Sequence, residues 1–220
     1  MRSALPRCLV VPLLLTASCS SFELEDSFII MEEFGVDGPV SLEVACDVGS
    51  IEVGEDASLE GIEVRGTVRL TERDEEGALA RFEQLGASIR RQPGGFIVAP
   101  TFEGGRRETE RISLKVTVPD LGGVKLKTSN GSLAASGASG SVDAESSNGS
   151  IKLMDCRGGA RLSTGNGAIS LTGGAGDARG TTGNGSVKVV GFEGALNLET
   201  SNGDVEVSLA DDARGTVQLR

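Results

Sequence analysis

Residues 128–133 read "TSNGSL", and the same pattern returns as "SSNGSI" (146–151), "TGNGAI" (164–169), "TGNGSV" (182–187) and "TSNGDV" (200–205). Asn130, Asn148, Asn166, Asn184 and Asn202 thus stand 18 residues apart, each followed by a glycine: Gly131, Gly149, Gly167, Gly185 and Gly203. Five copies without an insertion indicate stacked supersecondary units, not one binding loop.

The columns of this repeat carry its physics. Leu133, Ile151, Ile169, Val187 and Val205 share one column, and Ala135, Leu153, Leu171, Val189 and Val207 share another two residues on. Ala134, Lys152, Ser170, Lys188 and Glu206 lie between them, so each segment alternates with period two, as a strand does. A second strand precedes the corner, with Val124, Val142, Ala160, Ala178 and Leu196 in one column and Leu126, Ala144, Leu162, Gly180 and Leu198 in the next. Asn-Gly is the pair favoured where the backbone takes positive φ, so the pairs read as corners. Identical columns at one period are satisfied when each coil lies on the previous one in register, with parallel strands about 4.8 Å apart. The predicted fold is therefore all-β: a parallel β-solenoid of regular 18-residue coils over 124–213, its five Asn-Gly pairs stacked as a structural turn ladder. The Gly-rich return stretch carries a further column, Ala138, Cys156, Gly174, Phe192 and Ala210, predicted to point inward, with Phe192 filling the space left by Gly174.

Upstream, residues 28–70 alternate in the same manner, and "DVGSIEV" (47–53) reads as the corner of a degenerate first coil. The stretch "TERDEEGALARFEQLGASIRR" (71–91) begins with acids, ends with Arg90 and Arg91, and sets Leu79, Phe82, Leu85 and Ile89 on one helical stripe. It predicts one short helix near 74–88, capped by Thr71 with Asp74 and lying across an end or side of the sheet. "GGFIVAP" (94–100) and "RISLKVTVP" (111–119) read as strands, the latter feeding the first regular coil. No linker interrupts the chain, so 28–220 is expected to be a single domain whose first part, 28–123, is irregular.

Composition limits the chemistry. The 220 residues include 32 Gly and 7 Phe but no Trp, Tyr or His, which suits a slender core. Without histidine, catalytic triads, zincin motifs and facial-triad iron sites are excluded. The formal charge of −11 repels nucleic acid, so no nucleic-acid partner is expected. Any catalysis would rest on carboxylates, yet only Glu193 and Asp211 are neighbours in an outward column, and exposed acids there read as a solvated rim. "GGAGDARG" (173–180) faintly resembles a calcium-binding nonapeptide, but it occurs once and Asp177 has no counterpart in other coils. No metal, cofactor or catalytic residue is predicted. The Ser and Thr residues before each Asn form a hydroxyl ladder; without Trp or Tyr to stack on sugars, turn satisfaction is its stronger explanation.

The amino terminus, "MRSALPRCLVVPLLLTASC" (1–19), has a basic start with Arg2 and Arg7, a short apolar run and small residues before Cys19. That is the layout of a signal peptide, here 1–18, and the run is too short to span a bilayer. "LTASC" resembles the lipobox of bacterial lipoproteins, departing from it in having Thr16 three residues before the cysteine. The resemblance implies acylation of Cys19, a tether over 19–27, and a membrane partner reached through the lipid; Ser20 at the next place argues against inner-membrane retention. The alternative is an ordinary secreted protein cut nearby. Losing Arg2 and Arg7 leaves 19 basic against 32 acidic residues, a charge of −13. Cys46 and Cys156 remain, expected as inert core thiols, with a disulfide as the other reading.

The "VTVP" strand followed by "TSNGSL" and its copies resembles a bacterial family of candidate adhesins of unknown function, over about residues 28–215. That resemblance implies a single-stranded right-handed β-helix, often placed after a lipoprotein or membrane anchor. It supplies no catalytic residues. The function it implies is a non-catalytic cell-envelope lipoprotein, a rigid module for adhesion, structure or docking of an envelope protein or surface glycan, at the outer membrane or periplasmic face. The alternatives are a polysaccharide-binding or polysaccharide-cleaving β-helix protein and a regulatory, envelope-stress-sensing subunit.

Overall fold

The computed structural model describes residues 16–18, 21–34, 38–209 and 216–219. Residues 1–15, Cys19, Ala210 and Asp211 lie outside them. The chain begins with β1 (Thr16–Ser18), β2 (Ser21–Glu33), β3 (Val40–Val48), β4 (Ile51–Glu55) and β5 (Gly61–Glu72), then the helix α1 (Glu75–Phe82). It continues through β6 (Leu85–Gln92), β7 (Gly95–Phe102), β8 (Arg111–Val118), β9 (Leu121–Asn130) and β10 (Leu133–Ser136). The repeats follow as β11 (Val142–Asn148), β12 (Ile151–Met154), β13 (Ala160–Asn166), β14 (Ile169–Thr172), β15 (Ala178–Asn184), β16 (Val187–Phe192), β17 (Leu196–Asn202) and β18 (Val205–Leu209), ending at β19 (Val217–Leu219).

These strands make two sheets. The first runs β1-β2-β5-β8-β4-β10-β12-β14-β16-β18 and the second β19-β17-β15-β13-β11-β9-β3-β7-β6. Each repeat gives one strand to each sheet, and every strand pairs in parallel with its equivalent one repeat away: Ile151 with Ile169 in the first sheet, Asn148 with Asn166 in the second. The expected all-β chain with parallel strands is what is found. The sheets are nevertheless mixed, because β2, β5 and β8 pair antiparallel at one end of the first sheet, and β6 pairs antiparallel with β7 at the end of the second.

Inward columns from both sheets form the core. Leu133, Ile151, Ile169 and Val187 are no more than 1% exposed, and Ala138, Cys156 and Phe192 of the return stretch are buried with them. Volume is balanced across layers: Leu126, Ala144, Leu162, Gly180 and Leu198 alternate large with small, and Leu198 and Ile169 occupy the space where a Gly180 side chain would be. In the antiparallel end the Phe28 ring covers its cross-strand partner Gly66 in the same way.

Several expectations need correction. The helix spans Glu75–Phe82, not 74–88, and Leu85–Gln92 forms β6. Leu85 and Ile89, four apart, share a face in a strand as well as in a helix, and pairing with β7 decides between the two. Asp74 alone caps the helix, its Oδ1 accepting from the Gly77 N–H at 2.8 Å, while Thr71 lies in β5. β2 begins at Ser21 and so takes in most of the expected tether, and β1, within the expected signal peptide, pairs antiparallel with it.

The corner chemistry also differs. No described asparagine has positive φ, and Gly131, Gly149 and Gly167 are outside the left-handed range. A Cβ on Gly149 would instead overlap the Gly131 carbonyl of the neighbouring layer, and one on Gly167 that of Gly149. These glycines permit close stacking. At the corner Gly185 (φ 158°) and Gly203 (φ 153°) do take positive φ, close to the extended limit; the column that recurs well inside the left-handed region is Gly137 (φ 79°), Asp155 (φ 52°), Gly173 (φ 63°) and Gly191 (φ 64°), at the end of the second strand of each repeat.

Lastly, chain order and stacking order part at the amino-terminal end. β3 and β4 form one layer, pairing with β9 and β10 at a separation of 82 residues, not 18. β7 and β8 form the layer beneath. β8 leads along the chain into β9 as expected, but its layer is not the one below: β4 stands between β8 and β10, and β3 between β7 and β9.

Candidate functional site

The repeated Asn-Gly edge is the feature most suggestive of a site, and its polar groups bond one another. Thr128, Ser146, Thr164 and Thr182, two residues before each asparagine, are buried. Their hydroxyls, with that of Thr200, donate to the carbonyls of Gly49, Gly131, Gly149, Gly167 and Gly185 in the preceding layer, at 2.9–3.1 Å. The asparagine side chains stack on the exposed side: Asn148 Nδ2 donates to Asn130 Oδ1 at 3.1 Å, Asn166 to Asn148 at 2.8 Å, Asn184 to Asn166 at 2.8 Å and Asn202 to Asn184 at 2.9 Å. Backbone bonds point the other way, from the N–H of Gly131, Gly149, Gly167 and Gly185 to the asparagine carbonyl of the next layer. Side chains thus bind downward and backbone upward, leaving no described hydroxyl of the buried column unpartnered.

Cys46 continues that column. It lies in register with Thr128, and its thiol donates to the Ile112 carbonyl at 3.2 Å, as the Thr hydroxyls do to glycine carbonyls. Cys156 sits in the return-stretch column, bonded to Met154 O at 3.4 Å. Both are free and buried; burial pushes the Cys46 thiol up to about 11 and raises that of Cys156. Glu193 is exposed and bonds through its backbone to Gly174 and Gly176, but its expected neighbour Asp211 lies outside the described residues, as does Cys19. Among the described residues no group of three His, Cys, Asp or Glu could hold a metal ion, and no helix is long and apolar enough to cross a membrane.

One polar cluster escaped the sequence reading. Arg81 on α1 and Glu110 before β8 are 4% and 1% exposed and form a two-pronged ion pair at 2.5 and 2.9 Å. Arg81 also donates to Gln84 Oε1, Glu103 O and Gly105 O, and Glu110 accepts from the Arg107 N–H. Burial alone would push the Glu110 carboxyl up, but the Arg81 and Arg107 donors hold it below its ordinary value. The cluster ties helix to loop and offers no free group. With partners 29 residues apart and no motif joining them, nothing in the sequence marks it.

No protein family and no curated protein matches the chain. Among solved structures it is similar to a candidate cell adhesion protein from Clostridium sporogenes ATCC 15579, with a TM-score of 0.50 and 9% identity over 84% of this chain and 100% of that one. A candidate adhesin from Parabacteroides distasonis ATCC 8503 matches with a TM-score of 0.42 and 10% identity over 87% of this chain and 97% of its own. One from Bacteroides fragilis NCTC 9343 gives 0.36 and 13% over 87% and 97%. At these identities the first likeness is one of fold.

Proposed function

We propose that this chain is a non-catalytic module of the bacterial cell envelope, a right-handed β-solenoid held to the membrane by a lipid on Cys19, with 28–220 acting as one rigid domain. The observation that carries this reading is the bonding of the repeated edge. The hydroxyls and amides that could act on a substrate are committed to neighbouring layers, so the Asn-Gly pairs serve as a structural ladder. The leader pattern and the fold shared with a candidate cell adhesion protein point to the same cellular place. Adhesion or partner docking on the outer face fits a scaffold whose outward columns vary freely while its inward columns do not.

Metabolic labelling with an acyl-chain probe tests the anchor. Label in the wild-type chain that disappears in Cys19→Ala supports it; label persisting in Cys19→Ala, or absent from wild type, contradicts it. Incubation with acidic and neutral glycans tests the rest. Intact glycan is expected, and cleavage abolished by Glu193→Ala would contradict a non-catalytic role.

A further inference from the structure

A groove of about 600 Å³ runs along the stack from β11 to β19, at the amino-terminal ends of the second sheet's strands. Its volume is typical of ligand sites. The small residues Gly159 and Ala195 line it, beside the buried Ala160 and Ala178, so an extended chain can approach the strand ends. Above them stands a ladder of outward side chains in direct register: Asp143, Arg161, Arg179, Asn197 and Gln218.

Like charges also face each other in the first sheet, at Arg65/Lys115 and Arg69/Arg111, but there Arg65, Arg69 and Lys115 each pair with a glutamate. Further along the same ladder Lys125, in register with Asp143, pairs with Glu43 at 2.8 Å, and on the same sheet Lys127 pairs with Glu145 at 3.1 Å. Arg161 and Arg179, adjacent strands apart by about 4.8 Å, make no ion pair with any described residue. Two like charges side by side are unfavourable, and in a chain of net charge −11 acidic partners are plentiful. An anionic group between the two guanidinium forks would relieve the repulsion through two-pronged hydrogen bonds.

Asp143 and Asp177 line the same groove. Their carboxylates accept hydrogen bonds and repel a densely charged polyanion such as a polyphosphate. The Asn197 and Gln218 amides both donate and accept. Arginine beside aspartate and amide therefore asks for a ligand that offers sparse anions and many hydroxyls on one backbone. A peptide of acidic side chains alone, such as poly-glutamate, supplies the anions without the hydroxyls. A polysaccharide containing uronic acids supplies both.

We propose that this groove binds a carboxylate-bearing polysaccharide, with Arg161 and Arg179 holding a uronate and the aspartates and amides holding its hydroxyls. The proposal rests on the reading of the chain as a non-catalytic surface module and names its ligand class. It is tested by equilibrium binding of the full chain to polygalacturonate, dextran, dextran sulfate and poly-glutamate at low and moderate salt. Polygalacturonate is expected to bind at least ten-fold tighter than the other three. Arg161→Gln/Arg179→Gln should lose that ten-fold, whereas Arg161→Lys/Arg179→Lys should keep part of it; all these side chains are exposed, so circular dichroism should be unchanged. Equal binding to polygalacturonate and dextran, equal binding to poly-glutamate, tighter binding to dextran sulfate, or indifference to the Gln pair would overturn the proposal. Polygalacturonate chain length is read in the same samples: shortening would sink the non-catalytic reading while leaving the binding site standing, and absent binding would do the reverse.

Discussion

Thr164 is buried beneath an exposed asparagine ladder, with its hydroxyl 2.9 Å from the Gly149 carbonyl of the layer below. Thr164→Val keeps the shape and removes the donor, leaving a buried carbonyl short of a partner; about 1–2 kcal/mol should be lost in chemical denaturation, and Thr164→Ser should recover most of it. Gly149 presents a different constraint. Its neighbour across the layer is a backbone oxygen that cannot move aside, so Gly149→Ala should cost about 3 kcal/mol. By contrast Gly191 has φ 64° and open space around its Cα, so Gly191→Ala carries only the left-handed penalty of about 1 kcal/mol. If Gly149→Ala proved as mild as Gly191→Ala, close stacking would not be what selects glycine at the corner. The thiols give a third check. With the Cys46 thiol raised to about 11 and both cysteines buried, alkylation of the folded chain at pH 8 should leave Cys46 and Cys156 unmodified, and both should react in denaturant.

Helix α1 and the loop before β8 are joined by the Arg81–Glu110 pair, and this junction gives the molecule its clearest acid sensitivity. The Glu110 carboxyl is held below its ordinary value of 4.5, so its contribution is fully present above that pH and is lost as pH falls through the lower folded value. Glu110→Gln should flatten the acid limb of a stability-against-pH curve; an unchanged limb would contradict this. Arg81→Met strands a buried carboxylate and should cost about 3–5 kcal/mol, whereas Arg81→Met with Glu110→Leu should approach the parent. In this region the sequence pattern is ambiguous. Columns at a fixed period identify strands because both inward and outward residues repeat, so β9 to β18 could be read from Leu133, Ile151 and their equivalents. Leu85 and Ile89 obey helix and strand periods alike, and only the partner strand β7 resolves them. The positive-φ column of Gly137, Asp155, Gly173 and Gly191 was present in the sequence at the same 18-residue interval, but Asp155 breaks its run of glycines. Asn-Gly drew attention to the wrong corner for that conformation. The two arginines of the groove were visible as neighbours in one column; the absence of any ion pair among described residues required the side chains.

Taken whole, the stack is assembled out of chain order. The layer of β3 and β4 is laid between β7/β8 and β9/β10, so it forms only when segments 82 residues apart meet, a slow closure compared with adding one repeat to the next. The amino-terminal layers turn antiparallel and are overlaid by α1, which packs on β2 and β5, while the repeats continue in parallel away from them. Corner, core and groove all depend on the repeats lying layer upon layer. Spin labels on Ser129→Cys and Ser201→Cys, in a chain with Cys8→Ser and Cys19→Ser, report this by pulsed electron–electron resonance. Both positions are exposed and occupy the same place four layers apart, Asn130 to Asn202 being joined by successive pairings. Four strand spacings of about 4.8 Å predict one narrow distance near 19 Å before label reach is added. A broad distribution, or a distance well beyond that, would mean that the five asparagines do not stand in line.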